Sequence, residues 1–189
     1  MTSPLCVLVR HGETEWSLSG RHTGRTDLPL LPEGEVQARA LVPTVSAYRF
    51  AAVFTSPLLR ARQTGDLAGL GGRAVIEPDL AEWDYGEYEG RTTADIRRER
   101  PGWNLFDDGV PGGESAADVG IRVDRVIERV RATPGDVACV AHGHVLRVLA
   151  ARWLDIDPRS GRYFALGPAS VSELGWEREQ AVVTSWNLR

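Results

Sequence analysis

The sequence predicts an α/β fold, a three-layer sandwich in which helices flank a mainly parallel central sheet. Two patterns predict it. The runs at residues 5–9 and 137–141 are apolar throughout instead of alternating, as strands buried on both faces are. Strand-like runs also alternate with helix-like stretches along most of the chain, the order that parallel crossovers impose. In such sheets ligands bind beyond the carboxyl ends of the strands, so chemistry is expected at that edge.

The first strand, residues 5–9, stops at Arg10, and a polar, glycine-containing loop runs to about Leu31. Residues 32–48 read as a helix with Pro32 in its first turn and Pro43 as a break or kink, because proline has no amide hydrogen to donate. A second strand covers 50–54. Ser56 and Pro57 then read as N-cap and first helical residue of a helix to about Leu70. Residues 74–76 form a brief strand, and 78–113 is loop-rich with one short arginine-heavy helix near 92–100. The helix expected over 114–131 is amphipathic, with Val119, Val123, Val126, Ile127 and Val130 on one stripe. A strand at 136–141 and a helix at 143–153 follow, and from Arg162 onward two or three antiparallel strands are expected. No repeat or linker interrupts the chain, which is read as one domain, 1–189.

Composition excludes several function classes. With 42% hydrophobic residues and a net charge of only -4, the chain is not a disordered one. The 22 basic residues, all arginine, are outnumbered by 26 acidic ones, so no nucleic-acid partner is expected. No apolar run approaches the roughly 20 residues of a membrane span, and the first residues lack the basic segment of a signal peptide. Cys6 and Cys139 lie in apolar runs and read as buried thiols, which favours a reducing, cytoplasmic setting.

The four histidines, His11, His22, His142 and His144, collect after strands. The runs VLVRHGET and CVAHGHVLR each put a His-Gly pair at a strand's carboxyl end. Glycine there permits an unusual backbone and close approach of a ligand, and the free amides of a following helix favour an anion. Metal binding is the competing use of clustered histidines, but the neighbouring arginines disfavour a cation. Arg60 and Arg62 sit at the same edge on the helix after Ser56, and periodicity does not say which faces the cleft. In LAEWDYGEYEG the carboxylates Glu82, Asp84, Glu87 and Glu89 crowd one loop, and spacing selects none of them.

The run Arg10-His11-Gly12-Glu13-Thr14 resembles the signature of the histidine phosphatase superfamily, the phosphoglycerate-mutase-like proteins. The likeness continues through Trp16, Arg21, Thr23-Gly24 and Asp27, and through Ser56-Pro57-Leu58-Leu59-Arg60-Ala61 with Thr64. It ends with Glu82, Tyr85-Gly86, Glu89-Gly90 and Ala141-His142-Gly143, in the family's order. The resemblance implies that His11 attacks phosphorus to give a phosphohistidine that water then cleaves. Arg10, Arg60 and His142 are then the phosphate-binding groups, with added contacts from Thr23 and Gly24, and His142 is catalytic with His11 and Glu82. Glu82 is the proton donor to the leaving oxygen and later the base toward water. Such chemistry asks for positioned positive charge, a neutral nucleophile and a general acid. It implies no metal and no cofactor.

Two departures favour a phosphatase of a small phosphomonoester. Mutases of the family usually have asparagine where this chain has Ser17, and they carry a long insertion where residues 90–114 leave room for one short helix. The alternatives are a 2,3-bisphosphoglycerate-dependent phosphoglycerate mutase and, further off, a non-catalytic phosphate-binding module, for which Glu82 has no use. The runs GRHTG and LAEWDYG look closest to actinobacterial acid phosphatases of the superfamily. His22 and His144 are candidates for substrate-contacting or supporting positions. Arg97, Arg98 and Arg100 read first as a solvated helix face. A homodimer is expected by family analogy alone.

Overall fold

The computed structural model describes residues 4–189; the signal-peptide reading rests partly on residues 1–3, which lie outside them. Strands β1 (Cys6–Arg10), β2 (Ala52–Thr55), β3 (Ala74–Ile76), β4 (Val137–Ala141), β5 (Val171–Glu177) and β6 (Gln180–Leu188) form one sheet in the order β3-β2-β4-β1-β5-β6. The first four in that order are mutually parallel, while β5 runs antiparallel to β1 and to β6. The mainly parallel sheet is therefore as expected, and the tail supplies two antiparallel strands.

Period-two alternation divides the core between two faces. Cys6, Leu8, Cys139 and Ala141 face the helices α7 (Ala116–Ala132) and α8 (Gly143–Trp153). Val7, Val9, Ala138 and Val140 face the other layer, built by α2 (Pro32–Ala40), α3 (Val42–Ser46) and α4 (Leu59–Leu67). This is the three-layer α/β arrangement. The expected valine stripe of α7 is fully buried except at Ile127, which is nearly so, each side chain contributing about 1.5–3 kcal/mol. Among the described residues no helix is long and apolar enough to cross a membrane.

Local departures from expectation have physical causes. Pro43 does break the helix expected over 32–48, leaving α2 and α3. The second strand begins at Ala52, because Phe50 is used to stack on Tyr48. Helix α4 starts at Leu59, and Ser56 is not its cap; the Leu59 amide donates instead to Asp27 Oδ1 at 2.7 Å. The loop after β1 contains α1 (Glu15–Ser19), opened by a reciprocal cap between Thr14 and Ser17. Residues 90–114 hold two short helices instead of one, α5 (Thr93–Glu99) and α6 (Leu105–Asp108), the second capped by Asn104.

Candidate active site

Sheet order brings the two His-Gly corners together. Parallel pairing sets Arg10 opposite Ala141, so His11 and His142 are the next residues on adjacent strands. The His11 amide donates to the Ala141 carbonyl at 3.0 Å, and the two imidazole centroids lie 5.1 Å apart. His11 Nδ1 lies 2.7 Å from the Gly12 carbonyl, which can only accept. The proton therefore sits on Nδ1 and leaves a lone pair on Nε2. Burial, reinforced by Arg10 and Arg60, holds the His11 imidazole well below its usual range, so the ring is neutral at neutral pH.

Gly12 serves close approach. A Cβ there would stand 2.3 Å from the Gly34 carbonyl oxygen, so α2 lies directly against the corner. The Gly12 amide donates to Thr64 Oγ1 at 3.1 Å, and the same hydroxyl donates to the Arg60 carbonyl at 2.8 Å. One threonine thus couples the His11 loop to the helix that carries Arg60.

Arg60 is fully buried. Its Nε donates to His142 Nδ1 at 3.1 Å, Nη1 to the Thr26 carbonyl at 3.0 Å, and Nη2 to the Thr23 and Gly24 carbonyls, each at 3.0 Å. Because the guanidinium only donates, neutral His142 carries its proton on Nε2, which lies 2.7 Å from Ser56 Oγ. Burial is the main reason that His142 is also held well below its usual range. The loop that grips Arg60 is itself tied down, since the Gly24 and Thr26 amides donate to the Glu89 carboxylate at 2.9–3.0 Å.

Glu82 reaches the site from the loop after β3. Its Oε1 accepts the Trp83 and Val145 amides, both at 2.9 Å, and Oε2 accepts the His144 amide at 3.0 Å. It thereby caps α8, whose own N-cap residue, His142, makes no side-chain cap. Oε2 has a single protein donor and keeps a lone pair that a proton can occupy. Arg122 frames this loop, pairing with Glu114 through Nε and Nη2 and donating through Nη1 to the Asp79 and Ala81 carbonyls.

A cavity of about 250 Å³ opens here, lined among others by Arg10, His11, Thr23, Glu82 and Gly143. Arg10 donates through Nη1 to the Leu166 carbonyl, while its buried Nε has no partner among the described residues. Arg60 and His142 lie behind this wall. Gly24 differs from expectation: its amide is committed to Glu89 and its carbonyl to Arg60, so it positions Arg60 and has no group left for a phosphate. Thr23 does reach the wall. Among the described residues no group of three or more His, Cys, Asp or Glu side chains is placed to hold a metal ion.

The model of the histidine phosphatase superfamily (branch 1) matches residues 6–189. The chain belongs to that superfamily. It is a phosphatase by the same comparison and by its relatives. Sedoheptulose 1,7-bisphosphatase of Saccharomyces cerevisiae is 39% identical over 82% of this chain and 69% of its own length. An acid phosphatase of Mycobacterium tuberculosis is 39% identical over 90% of this chain and 86% of its own. A probable phosphoglycerate mutase, GpmB, of Photorhabdus laumondii is 30% identical over 95% and 88%. The solved structure of an open reading frame from Mycobacterium tuberculosis superposes with a TM-score of 0.92 at 36% identity, covering 98% of this chain and 97% of that one.

The phosphatase's cavity also has walls beyond the catalytic and phosphate-binding residues that the resemblance implies. Ser17, Arg21 and Thr93 line it, as do Tyr85 and Arg147, and His22 and His144 join them. Arg147 had a usable signal, since it follows His144 by three residues on one helix face. Tyr85 Oη lies 2.5 Å from His144 Nδ1, within hydrogen-bond distance. Of the arginines on and just after α5, Arg98 pairs with Asp95, Arg97 donates to the Trp103 carbonyl and Arg100 to Tyr88. None of the three lines the cavity that holds His11.

Proposed function

We propose that the phosphatase is a cofactor-independent phosphomonoesterase of small phosphorylated metabolites. His11 Nε2 attacks phosphorus as the bond to the leaving oxygen breaks, and Glu82 gives that oxygen its proton. Water then attacks the phosphohistidine and gives a proton to Glu82, the P–N bond breaks, and phosphate leaves with His11 restored. Through both steps Nδ1–H keeps its bond to the Gly12 carbonyl, which strengthens while the ring bears positive charge. Arg10 and Thr23 meet the phosphoryl oxygens at the wall, while Arg60, set behind it, adds positive charge and orients His142. The neutral His11 ring with its lone pair on Nε2, in a cavity shared with Glu82, is the observation that carries this reading.

The short segment 90–114 favours hydrolysis over mutase chemistry, because two short helices give little to cover a phosphohistidine against water. The names of the yeast and mycobacterial relatives support phosphate release from small metabolites. Cys6 and Cys139, buried and unbonded with sulfurs 3.9 Å apart, support work in a reducing cytoplasm.

The test is a panel of phosphomonoesters, including 3-phosphoglycerate and an aryl phosphate, with products identified. Free phosphate that disappears in His11→Ala is the expected result. Isomerised phosphoglycerate with little free phosphate would establish a mutase instead. Glu82→Gln should slow alkyl phosphates more than aryl ones, whose leaving groups need less protonation; equal losses remove Glu82 from the acid role.

A further inference from the structure

We infer that the cavity contains a second anion-binding place, formed by Arg147 with His144, for a carboxylate or second phosphate elsewhere on the substrate. The inference rests on the phosphatase reading and deepens it to a substrate class, short phosphorylated metabolites with two anionic groups.

Arg147 and His144 line the cavity that contains His11 and Glu82, and phosphoryl transfer uses neither. The Arg147 guanidinium lies over the Phe106 ring, 4.7 Å from its centroid. Its Nε and Nη2 are anchored on the Gly161 and Arg162 carbonyls at 3.0 and 3.2 Å. Among the described residues, Nη1 has no protein partner and no carboxylate forms an ion pair with this arginine. Burial lowers its pKa, so the site carries a cation whose desolvation no direct carboxylate partner offsets.

His144 supplies the second group. Burial keeps the Tyr85 hydroxyl protonated and the His144 ring neutral. In the tautomer in which the Tyr85 hydroxyl donates to Nδ1, the ring proton is on Nε2, an atom with no protein partner among the described residues. His144 and Arg147 therefore present one N–H and one half of a guanidinium fork from adjacent turns of α8, a pairing suited to an oxyanion. An anchoring role for Arg147 is already met by its two carbonyl bonds and does not call for the third nitrogen. A smaller cavity of about 160 Å³ adjoins the first across His22, Thr93, His144 and Arg147, so a substrate has room to extend past this pair.

The experiment compares kcat/KM within matched pairs: 3-phosphoglycerate against glycerol 3-phosphate for a carboxylate, and fructose 1,6-bisphosphate against fructose 6-phosphate for a second phosphate. The expected result is a preference for the doubly anionic member of at least one pair by about 10- to 100-fold, the scale of a charge-assisted contact. Arg147→Met should bring that ratio close to one, and Arg147→Lys should restore part of it. Using ratios cancels any general loss of activity. The preference should also survive high salt, which screens steering by exposed Arg21. Ratios near one in the wild type, or a ratio unmoved by Arg147→Met, would overturn the inference. Failure of the wild type to release phosphate from any ester would overturn the phosphatase reading instead. Calorimetric titration of fructose 1,6-bisphosphate and fructose 6-phosphate into both proteins then decides the second site alone: preference lost in Arg147→Met supports it, and equal affinities refute it.

Discussion

Replacing Thr64 by valine removes one hydroxyl from a fully buried position while nearly conserving shape. The Arg60 carbonyl loses one of its donors but remains inside α4, whereas the Gly12 amide loses its acceptor outright. That amide cannot turn elsewhere, because the Gly34 backbone is packed against it. An unsatisfied buried amide costs about 1–3 kcal/mol. For a domain of this size that corresponds to a fall in Tm of about 2–12 °C. The same change loosens the step from β1 to His11, and a misplaced nucleophile costs up to about 100-fold in rate. The assay is phosphate release from an aryl phosphate, with urea unfolding in parallel, for wild type, Thr64→Val and Thr64→Ser. Serine keeps the hydroxyl and should recover most of both losses. Wild-type turnover in Thr64→Val, or serine as damaging as valine, would refute the coupling of His11 to Arg60 through this side chain.

Gly34→Ala would set a Cβ 2.2 Å from the Glu13 carbonyl oxygen; overpacking of about 1–3 kcal/mol, read by urea midpoint, should accompany lower kcat. Arg122→Met leaves Glu114 and two loop carbonyls without their donor. It should cost about 2–4 kcal/mol, reduced from the fully buried case by the partial exposure of Glu114, and should slow turnover by freeing the loop of Glu82. Burial lowers His22 from 6.5 to about 4, so between those values the unfolded chain binds more protons than the folded one. Stability is then complete above pH 6.5 and falls as pH drops toward 4, by at most about 3 kcal/mol from this residue. Urea midpoints at pH 7 and 4.5 should differ less in His22→Gln. Turnover should persist on the acid side of neutrality, since burial keeps the His11 lone pair free there; a pH–rate profile that drops below about pH 6.5 as an ordinary imidazole titrates would contradict this.

What could be read from residues alone were features that a few neighbours determine. Apolar runs ending in His-Gly mark β1, β4 and their corners because strand burial and glycine's freedom are local matters. Pro43 breaks a helix wherever it stands. The short helices α1 and α6 escaped, since helices of four or five residues do not hold on propensity and depend on caps and tertiary packing. The same holds for the site. Residue type and order single out His11, Arg10 and Glu82 as candidates, and the fold brings the three to one cavity, but no spacing reveals that Asp27 caps α4, that Glu82 caps α8, or that Gly24 grips Arg60. Those contacts join segments far apart in the chain, and only the folded arrangement selects them.

The central position of β1 has a consequence for the order of events during synthesis. This strand is the first to be made, yet its neighbours are β4 on one side and β5 on the other. The first does not exist until translation has passed residue 141 and the second until it has passed residue 177, and pairings so distant are slow to form because a long loop must close before any contact rewards it. Until then the imidazole of His11 is solvated and titrates near its ordinary 6.5, like any histidine in an open chain. Reactivity is therefore a property of the finished molecule. A chain halted in its middle carries the attacking group but none of the surroundings that make it attack.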